Sequence, residues 1–231
     1  RGRNGGAGEL TDWDITRVGY DLIVGIVPER SRVLDLGCGD GVLLRELQEK
    51  KMVKGYGVEI SADGVSRCVE KGIYCYQGDI DDGLSDYRTD SFDYVILNQT
   101  LQDTKRPEFV LQEIMRICRY AVISFPNFGN FRVRLQLMAQ GRMPRNKLLP
   151  YRWHESPNIH HLSIHDFQDY CRERGFPVRK EMHFSMGKGS KSKIIRVLPN
   201  LLAEFGFFIL DGEKFKEKSG SASARRGDSA S

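Results

Sequence analysis

The chain has 231 residues, 40% of them hydrophobic, and 35 Lys and Arg against 31 Asp and Glu leave a net charge of +4. That length is enough for one sizeable core, and the near balance of charge argues against nucleic-acid binding by the domain as a whole. No apolar run approaches the roughly 18 residues that cross a bilayer, and the first residues, Arg-Gly-Arg-Asn-Gly-Gly, lack the apolar stretch of a secretory signal.

Residues 1–11, rich in Gly and charge, are expected as a disordered tail. A helix is expected over 12–27, with apolar positions at Trp13, Ile15, Val18, Leu22, Ile23, Ile26 and Val27. A strand over 32–36 then runs into Asp35-Leu-Gly-Cys-Gly-Asp-Gly41 and a helix over 41–50. Gly37, Gly39 and Gly41 allow a sharp turn and a close approach of backbone to ligand, with Cys38 as a compact side chain between them. A strand, a glycine turn and a helix N-terminus make a nucleotide site. The dinucleotide fingerprint needs Gly or Ala at the sixth position from Gly37, where this chain has Val42. Asp35 just before the turn would repel a pyrophosphate, yet it suits a ligand carrying an ammonium and a sulfonium. The charge favours S-adenosylmethionine.

A second strand over 54–60 ends at Glu59, which can accept from both ribose hydroxyls, with Ile60 beside it. A helix over 62–71 leads to a third strand over 73–77, placing Asp79 for an adenine amino group and Ile80 against the ring. A fourth strand over 92–98 sets Asn98 and Gln99 over the reactive end of the cofactor. A helix over 107–118 and a strand over 119–126 continue the alternation, which implies parallel strands with helices on both faces. The regular pattern then breaks between 127 and 162, a stretch with six basic residues (Arg132, Arg134, Arg142, Arg145, Lys147, Arg152) against Glu155 alone. Irregular stretches this long are usually lids or binding loops. A helix over 163–174, a strand over 177–184 and a last antiparallel strand over 203–210 complete the domain, drawn as 12–211. The glycine-rich 187–192 reads as a solvated turn, and 212–231 as a second disordered tail. Five cysteines at irregular spacing form neither a disulfide framework nor a zinc set, so buried free thiols and a reducing, cytoplasmic setting are expected.

Asp35 to Gly41, Glu59, Gly78-Asp79-Ile80 and Phe92 to Leu97 fall in order, about 20 residues apart. Together they resemble the class I S-adenosylmethionine-dependent methyltransferases, which implies a Rossmann-like three-layer α/β sandwich with a mostly parallel sheet and an antiparallel last strand. The implied ligand is S-adenosylmethionine or S-adenosylhomocysteine. With Asn98-Gln-Thr-Leu-Gln102, Pro126 to Met138 and Pro150 to His160 included, the chain from Trp13 to Leu210 is similar to the MetW family of methionine biosynthesis proteins. That resemblance implies a role beside homoserine O-acyltransferase, as a partner or regulatory subunit, in a family without an assigned methyl acceptor.

Acceptor signatures are missing: the fourth strand is followed neither by an Asn/Asp-Pro-Pro-Tyr nor by a Pro-Cys. One of His154, His160, His161 and His165 could act as a base, although His161 reads better as packing at the start of a helix. A metal site is not expected from these histidines. Two functions therefore stand. The preferred one is a ligand-binding partner subunit that contacts the acyltransferase partly through the basic aromatic insert. The other is an active methyltransferase on a small acceptor, with Arg132, Arg134 or Arg142 available to hold an anionic one.

Overall fold

The computed structural model describes residues 17, 19–146, 149, 151–187 and 192–218. Helix α1 (Tyr20–Ile26) is followed by β1 (Arg32–Leu36), α2 (Val42–Lys51), β2 (Lys54–Glu59), α3 (Ala62–Glu70), β3 (Tyr74–Gln77), β4 (Phe92–Asn98), α4 (Pro107–Ile117) and β5 (Cys118–Pro126). Helix α5 (Phe131–Gln140) lies in the insert. Then come α6 (Ile164–Glu173), β6 (Val178–Glu181), β7 (Phe184–Met186), β8 (Ser192–Ile194), the short α7 (Pro199–Leu202) and β9 (Phe205–Asp211).

The central strands are continuous apolar runs because both of their faces are buried. Side chains alternate strictly between two cores: Val33, Ile96, Val122 and Phe207 enter one, while Leu34, Leu97, Ile123 and Phe208 enter the other. Helices α1, α2 and α3 cover the first face, and α4 and α6 the second. One nine-stranded sheet results, in the order β3-β2-β1-β4-β5-β9-β7-β8, with β6 also paired to β9. Strands β1 to β5 are parallel, whereas β9 runs antiparallel to β5 over seven residue pairs from Tyr120↔Asp211 to Pro126↔Phe205. This is the class I methyltransferase-like architecture. Because β1 lies at the centre of the sheet between β2 and β4, the order reverses there and a crevice opens beyond the carboxyl ends of the strands.

Departures from expectation concentrate in the last third. The strand expected over 177–184 is divided into β6 and β7, with a register shift between Val178 and Lys180. At the break, His183 is buried and shares a 3.2 Å contact with Glu181. Its charge-bearing neighbours hide the apolar alternation that marks other strands. Strand β8 and helix α7 were not anticipated. The tail expected from 212 begins instead with a helix over 212–218, whose Phe215 stacks on Phe176 at a centroid distance of 5.0 Å. Residues 12–16 and 18 of the expected first helix, and most of the glycine-rich 187–192, lie outside the described residues. No described helix is long and apolar enough to cross a membrane.

Candidate functional site

The turn after β1 is built on three left-handed glycines, Gly37 (φ 74°), Gly39 (φ 58°) and Gly41 (φ 75°). Each has a different reason to lack a side chain. A Cβ on Gly37 would stand 2.7 Å from the Thr100 side chain, and one on Gly41 would stand 2.9 Å from Cys68 Sγ. Gly39 has nothing within 4 Å of that position, because it faces open space.

That space is a cleft of about 740 Å³ beyond the carboxyl ends of β1, β2 and β4. Asp35, Gly37, Cys38, Gly39, Glu59, Ile60, Asp79, Ile80 and Asn98 all line it. Gly41 does not; it caps α2 and packs on Cys68, which makes it a glycine of the fold. Six carboxylates (Asp35, Asp40, Glu59, Asp79, Asp81, Asp103) face two arginines, Arg17 and Arg67, in the lining. The cleft is therefore acidic.

Asp35 lies deeper than the rim position its place in the sequence implied, with 3% of its surface exposed. Burial, and then the Glu59 carboxylate, push its pKa up to about 7. Among the described residues none donates a hydrogen bond to it or forms an ion pair with it. Glu59 is used differently. Its Oε2 accepts from Gly39 N at 2.9 Å and its Oε1 from Ser61 N at 2.9 Å, tying the glycine turn to the start of α3. Each oxygen retains a second lone pair for a ligand. Asp79 caps a 3₁₀ turn over Ile80–Asp82 by accepting from Asp81 N at 2.9 Å, which leaves its other oxygen 3.9 Å from Lys105 Nζ. Ile60, 64% exposed, offers an apolar surface in the same cleft as Ile80.

At the far end, Asn98 Oδ1 accepts from Ser124 Oγ, which in turn accepts from Gln99 Nε2 at 3.1 Å. Gln99 is held at φ 59°, a strained setting for a residue with a Cβ. Thr100 Oγ1 donates to Asn98 O at 3.1 Å and Gln102 Nε2 to Gln99 O at 2.6 Å, so the loop after β4 is braced by its own side chains. The other face of this loop touches the insert: Ile159 N and His160 N both donate to Gln102 O, at 2.8 and 2.9 Å.

Several lining residues escaped the sequence reading. Tyr20 comes from α1, and burial together with Asp35 raises its hydroxyl pKa. Asp81 accepts from Lys105 N (2.8 Å) and Arg106 N (2.9 Å), fixing the approach to α4. Asp103 is pushed up to about 6 by burial, and its Oδ1 has no partner among the described residues. The run Asp79-Ile-Asp-Asp82 was a visible signal for Asp81; for Tyr20 and Asp103 the sequence carries none.

No described residue of 127–162 lines the cleft. Arg132 pairs with Glu204 at 2.8 Å and Arg134 donates to Gly129 O at 2.6 Å, both away from the cleft, and Arg142 does not line it either. None of His154, His160, His161 and His165 reaches the cleft, and His161 stacks on Phe128 at 4.8 Å, two residues before the Ser163 cap of α6. The five cysteines are free thiols, four buried and Cys75 partly so. Irregular in sequence, three of them nevertheless converge behind the glycine turn.

Similarity to known proteins agrees with this geometry. The chain resembles a methyltransferase-fold protein from Thermotoga maritima, described as a possible histamine N-methyltransferase, with a TM-score of 0.62 and 19% identity over 86% of this chain and 91% of that one. It also resembles the Haloferax volcanii complex of the Trm112 methyltransferase activator and a putative methyltransferase (TM-score 0.61, 17% identity, 85% and 90% covered). At these identities the likeness concerns the fold alone. In sequence, the chain is 33% identical over 188 residues to the "Bifunctional methionine biosynthesis protein MetXA/MetW" of Rhodopirellula baltica, covering 77% of this chain and 30% of that protein. The chain thus spans less than a third of that relative's length. A family model described as "Methionine biosynthesis protein MetW" matches residues 17–210, and with it the chain belongs to the MetW family.

Proposed function

We propose that this protein binds S-adenosylmethionine or S-adenosylhomocysteine in the acidic cleft and acts as a partner or regulatory subunit of a homoserine O-acyltransferase. The observation that carries the first half is Asp35, a buried carboxylate that faces the cleft and has no donor among the described residues. A cationic ligand supplies the missing charge, whereas a pyrophosphate would face six carboxylates. The chain's residues fit the ligand part by part. Gly39 leaves room for close approach, Asp35 and Tyr20 would meet the charged groups of the methionine moiety, and Glu59 has lone pairs left for ribose hydroxyls. Asp79, Ile60 and Ile80 offer an acceptor and two apolar surfaces to an adenine, and Asn98 stands at the far end.

The second half is supported by the Rhodopirellula baltica relative, which carries MetXA and MetW parts in one protein. Joining in one chain keeps two parts at high effective concentration, which is useful when they work together. The insert offers a surface for such contact: Leu135, Met138 and Trp153 are 54%, 79% and 79% exposed. Loop 98–104 lines the cleft on one side and holds residues 159–160 of the insert on the other. A ligand that settles this loop changes the affinity for a partner on the insert, and the partner changes the ligand's affinity by the same factor. In the cytoplasm such a subunit would report the pathway's downstream product.

Asp103 favours a second reading, methyl transfer to an acceptor beside Asn98, because a carboxylate raised to about 6 is suited to take a proton near neutrality. The two readings separate in one experiment. The full chain is used to capture purified acyltransferase with and without S-adenosylmethionine, and labelled methyl is followed in parallel. Ligand-dependent capture without label transfer is the expected result. Label transfer without capture at micromolar concentrations assigns the methyltransferase.

A further inference from the structure

Cys38, Cys68 and Cys75 come from the glycine turn, α3 and β3, and their sulfurs all lie within 4.8 Å of one another. Cys38 Sγ stands 3.7 Å from Cys68 Sγ and 3.5 Å from Cys75 Sγ. For a metal–sulfur bond of about 2.3 Å, three sulfurs sit about 4.0 Å apart in a trigonal site and about 3.8 Å apart on a tetrahedral face. The cluster is already close to that spacing.

Its surroundings are shaped around sulfur. Gly57 is the register partner of both Asp35 and Cys75 in the sheet, and its backbone is not in the left-handed region, so conformation does not demand glycine there. Space does: a Cβ on Gly57 would stand 2.5 Å from Cys38 Sγ and 3.4 Å from Cys75 Sγ. Any larger residue on this central strand would push the thiols apart. Cys38 and Cys68 belong to the apolar core that includes Leu43, Leu44 and Ile73, and Cys75 packs against it. Among the described residues no histidine or carboxylate joins the group. A site of sulfur ligands only selects soft d¹⁰ ions over magnesium, calcium or manganese.

The geometry points to Cys38, Cys68 and Cys75 as a binding site for a thiophilic d¹⁰ cation, Cu(I) or Zn(II), placed behind the glycine turn of the cleft. Three ligands match the low coordination number of Cu(I), whereas structural zinc takes four. Uptake replaces three S–H bonds by three metal–sulfur bonds and releases three protons to solvent; no electron is transferred. Since Cys38 also lines the cleft, the ion would hold the turn that bears Gly37 and Gly39 in place. The site does not depend on which ligand the cleft accepts.

The test is a titration of the full chain, reduced and stripped of metal, with Cu(I) against a chromogenic competitor and with Zn(II) in a parallel arm. One equivalent of metal is expected, with protection of Cys38, Cys68 and Cys75, but not Cys118 or Cys171, from alkylation under partly denaturing conditions. Cys75→Ser lowers the affinity roughly tenfold or more, while Cys171→Ser, in the opposite core, leaves it unchanged. Preference for Zn(II) with the same three cysteines protected also supports the site and assigns the divalent ion. Uptake of neither ion, or uptake unaltered by Cys75→Ser, overturns it. Should Cys75→Ser fail to fold, the alkylation pattern of the unaltered chain with and without metal decides: equal labelling of all five thiols rejects the site.

Discussion

The cleft and the insert treat their side chains in opposite ways. All described residues that line the cleft fall between 17 and 104, most of them at or just beyond the ends of β1 to β4, with Tyr20 and Arg67 added by α1 and α3. The insert turns outward, leaving Met138 and Trp153 each 79% exposed while its base is anchored by buried amides. A rigid sheet can hold a buried carboxylate such as Asp35 because neighbouring strands fix its backbone from both sides. An insert outside the sheet has no such support, and its anchoring must come from side-chain hydrogen bonds. One region encloses a cavity, and the other presents a surface.

The largest expected effect breaks the anchor. Asn127 is fully buried; its Nδ2 donates to Asn200 O (3.0 Å) and Ala203 O (2.8 Å), and its Oδ1 accepts from Gly129 N (3.0 Å) and Ile164 N (3.3 Å). Asn127→Ala leaves four buried partners short of a bond and is expected to cost about 4 kcal/mol in urea unfolding. Ligand affinity of the folded fraction should change less than about twofold, well within the variation seen for independent sites. A cost below about 1 kcal/mol would show that the amide does not hold the insert.

Glu59→Ala tests the cleft side. It removes the acceptor for Gly39 N and Ser61 N together with the ribose contact proposed above. Loss of charge-assisted bonds of this kind is expected to weaken S-adenosylhomocysteine binding by about 3 kcal/mol, more than a hundredfold by calorimetry. Capture of the acyltransferase without ligand should be unaffected if the insert is a separate surface. Full affinity in the variant would remove Glu59 from the site.

How far the sequence revealed each region follows from the same contrast. Strands β1, β4 and β5 were legible because burial on both faces writes itself as an apolar run, and Asp35, Glu59 and Asp79 were legible because a polar residue ending such a run stands out. Asp103 and Tyr20 were not, since only the packing of α1 and of loop 98–104 against the strand ends brings them to the cleft. The convergence of Cys38, Cys68 and Cys75 is also tertiary: it depends on Gly57, whose role no spacing betrays. In the insert, composition marked an irregular basic stretch but could not say which way its arginines faced. Arg132 turns to Glu204, 72 residues away in sequence, and not to the cleft.

Asp35→Asn sharpens the comparison, because its two effects have opposite signs. The carboxyl is raised from 3.8 to about 7 in the folded chain, so well below pH 3.8 both states are protonated and no penalty exists. As pH rises through that window the unfolded chain ionises first, and stability is lost progressively until about pH 7, beyond which the full penalty remains. Asparagine removes the penalty. The variant is therefore expected to be more stable at pH 8 by roughly 2 kcal/mol, less than the whole shift because water reaches the cleft, with the difference vanishing as pH falls well below 3.8. S-adenosylmethionine should bind roughly tenfold more weakly to it at pH 8, and in the parent the affinity should fall as pH drops from 8 to 6 while protons compete for Asp35. Tyr20, Asp40, Cys38 and Glu59 share this environment, and the Asn variant isolates Asp35 from them. Unchanged affinity at pH 8 would end the charge argument for the ligand.

The smallest expected effect on the fold belongs to the outer face of the insert. Met138 and Trp153 make little contact with the remainder of the chain, so Met138→Ser with Trp153→Ser should leave unfolding free energy within about 0.5 kcal/mol of the parent. Binding is where the pair should count. Exposed tryptophans at the centre of an interface carry a disproportionate share of its energy, so capture of the acyltransferase is expected to weaken at least about tenfold while ligand affinity in the cleft holds. Equal loss of stability and capture would mean that the two side chains support the fold of the insert. Undiminished capture would move the partner surface elsewhere, with the edge strand β3 and its exposed Tyr74 and Tyr76 the next face to alter.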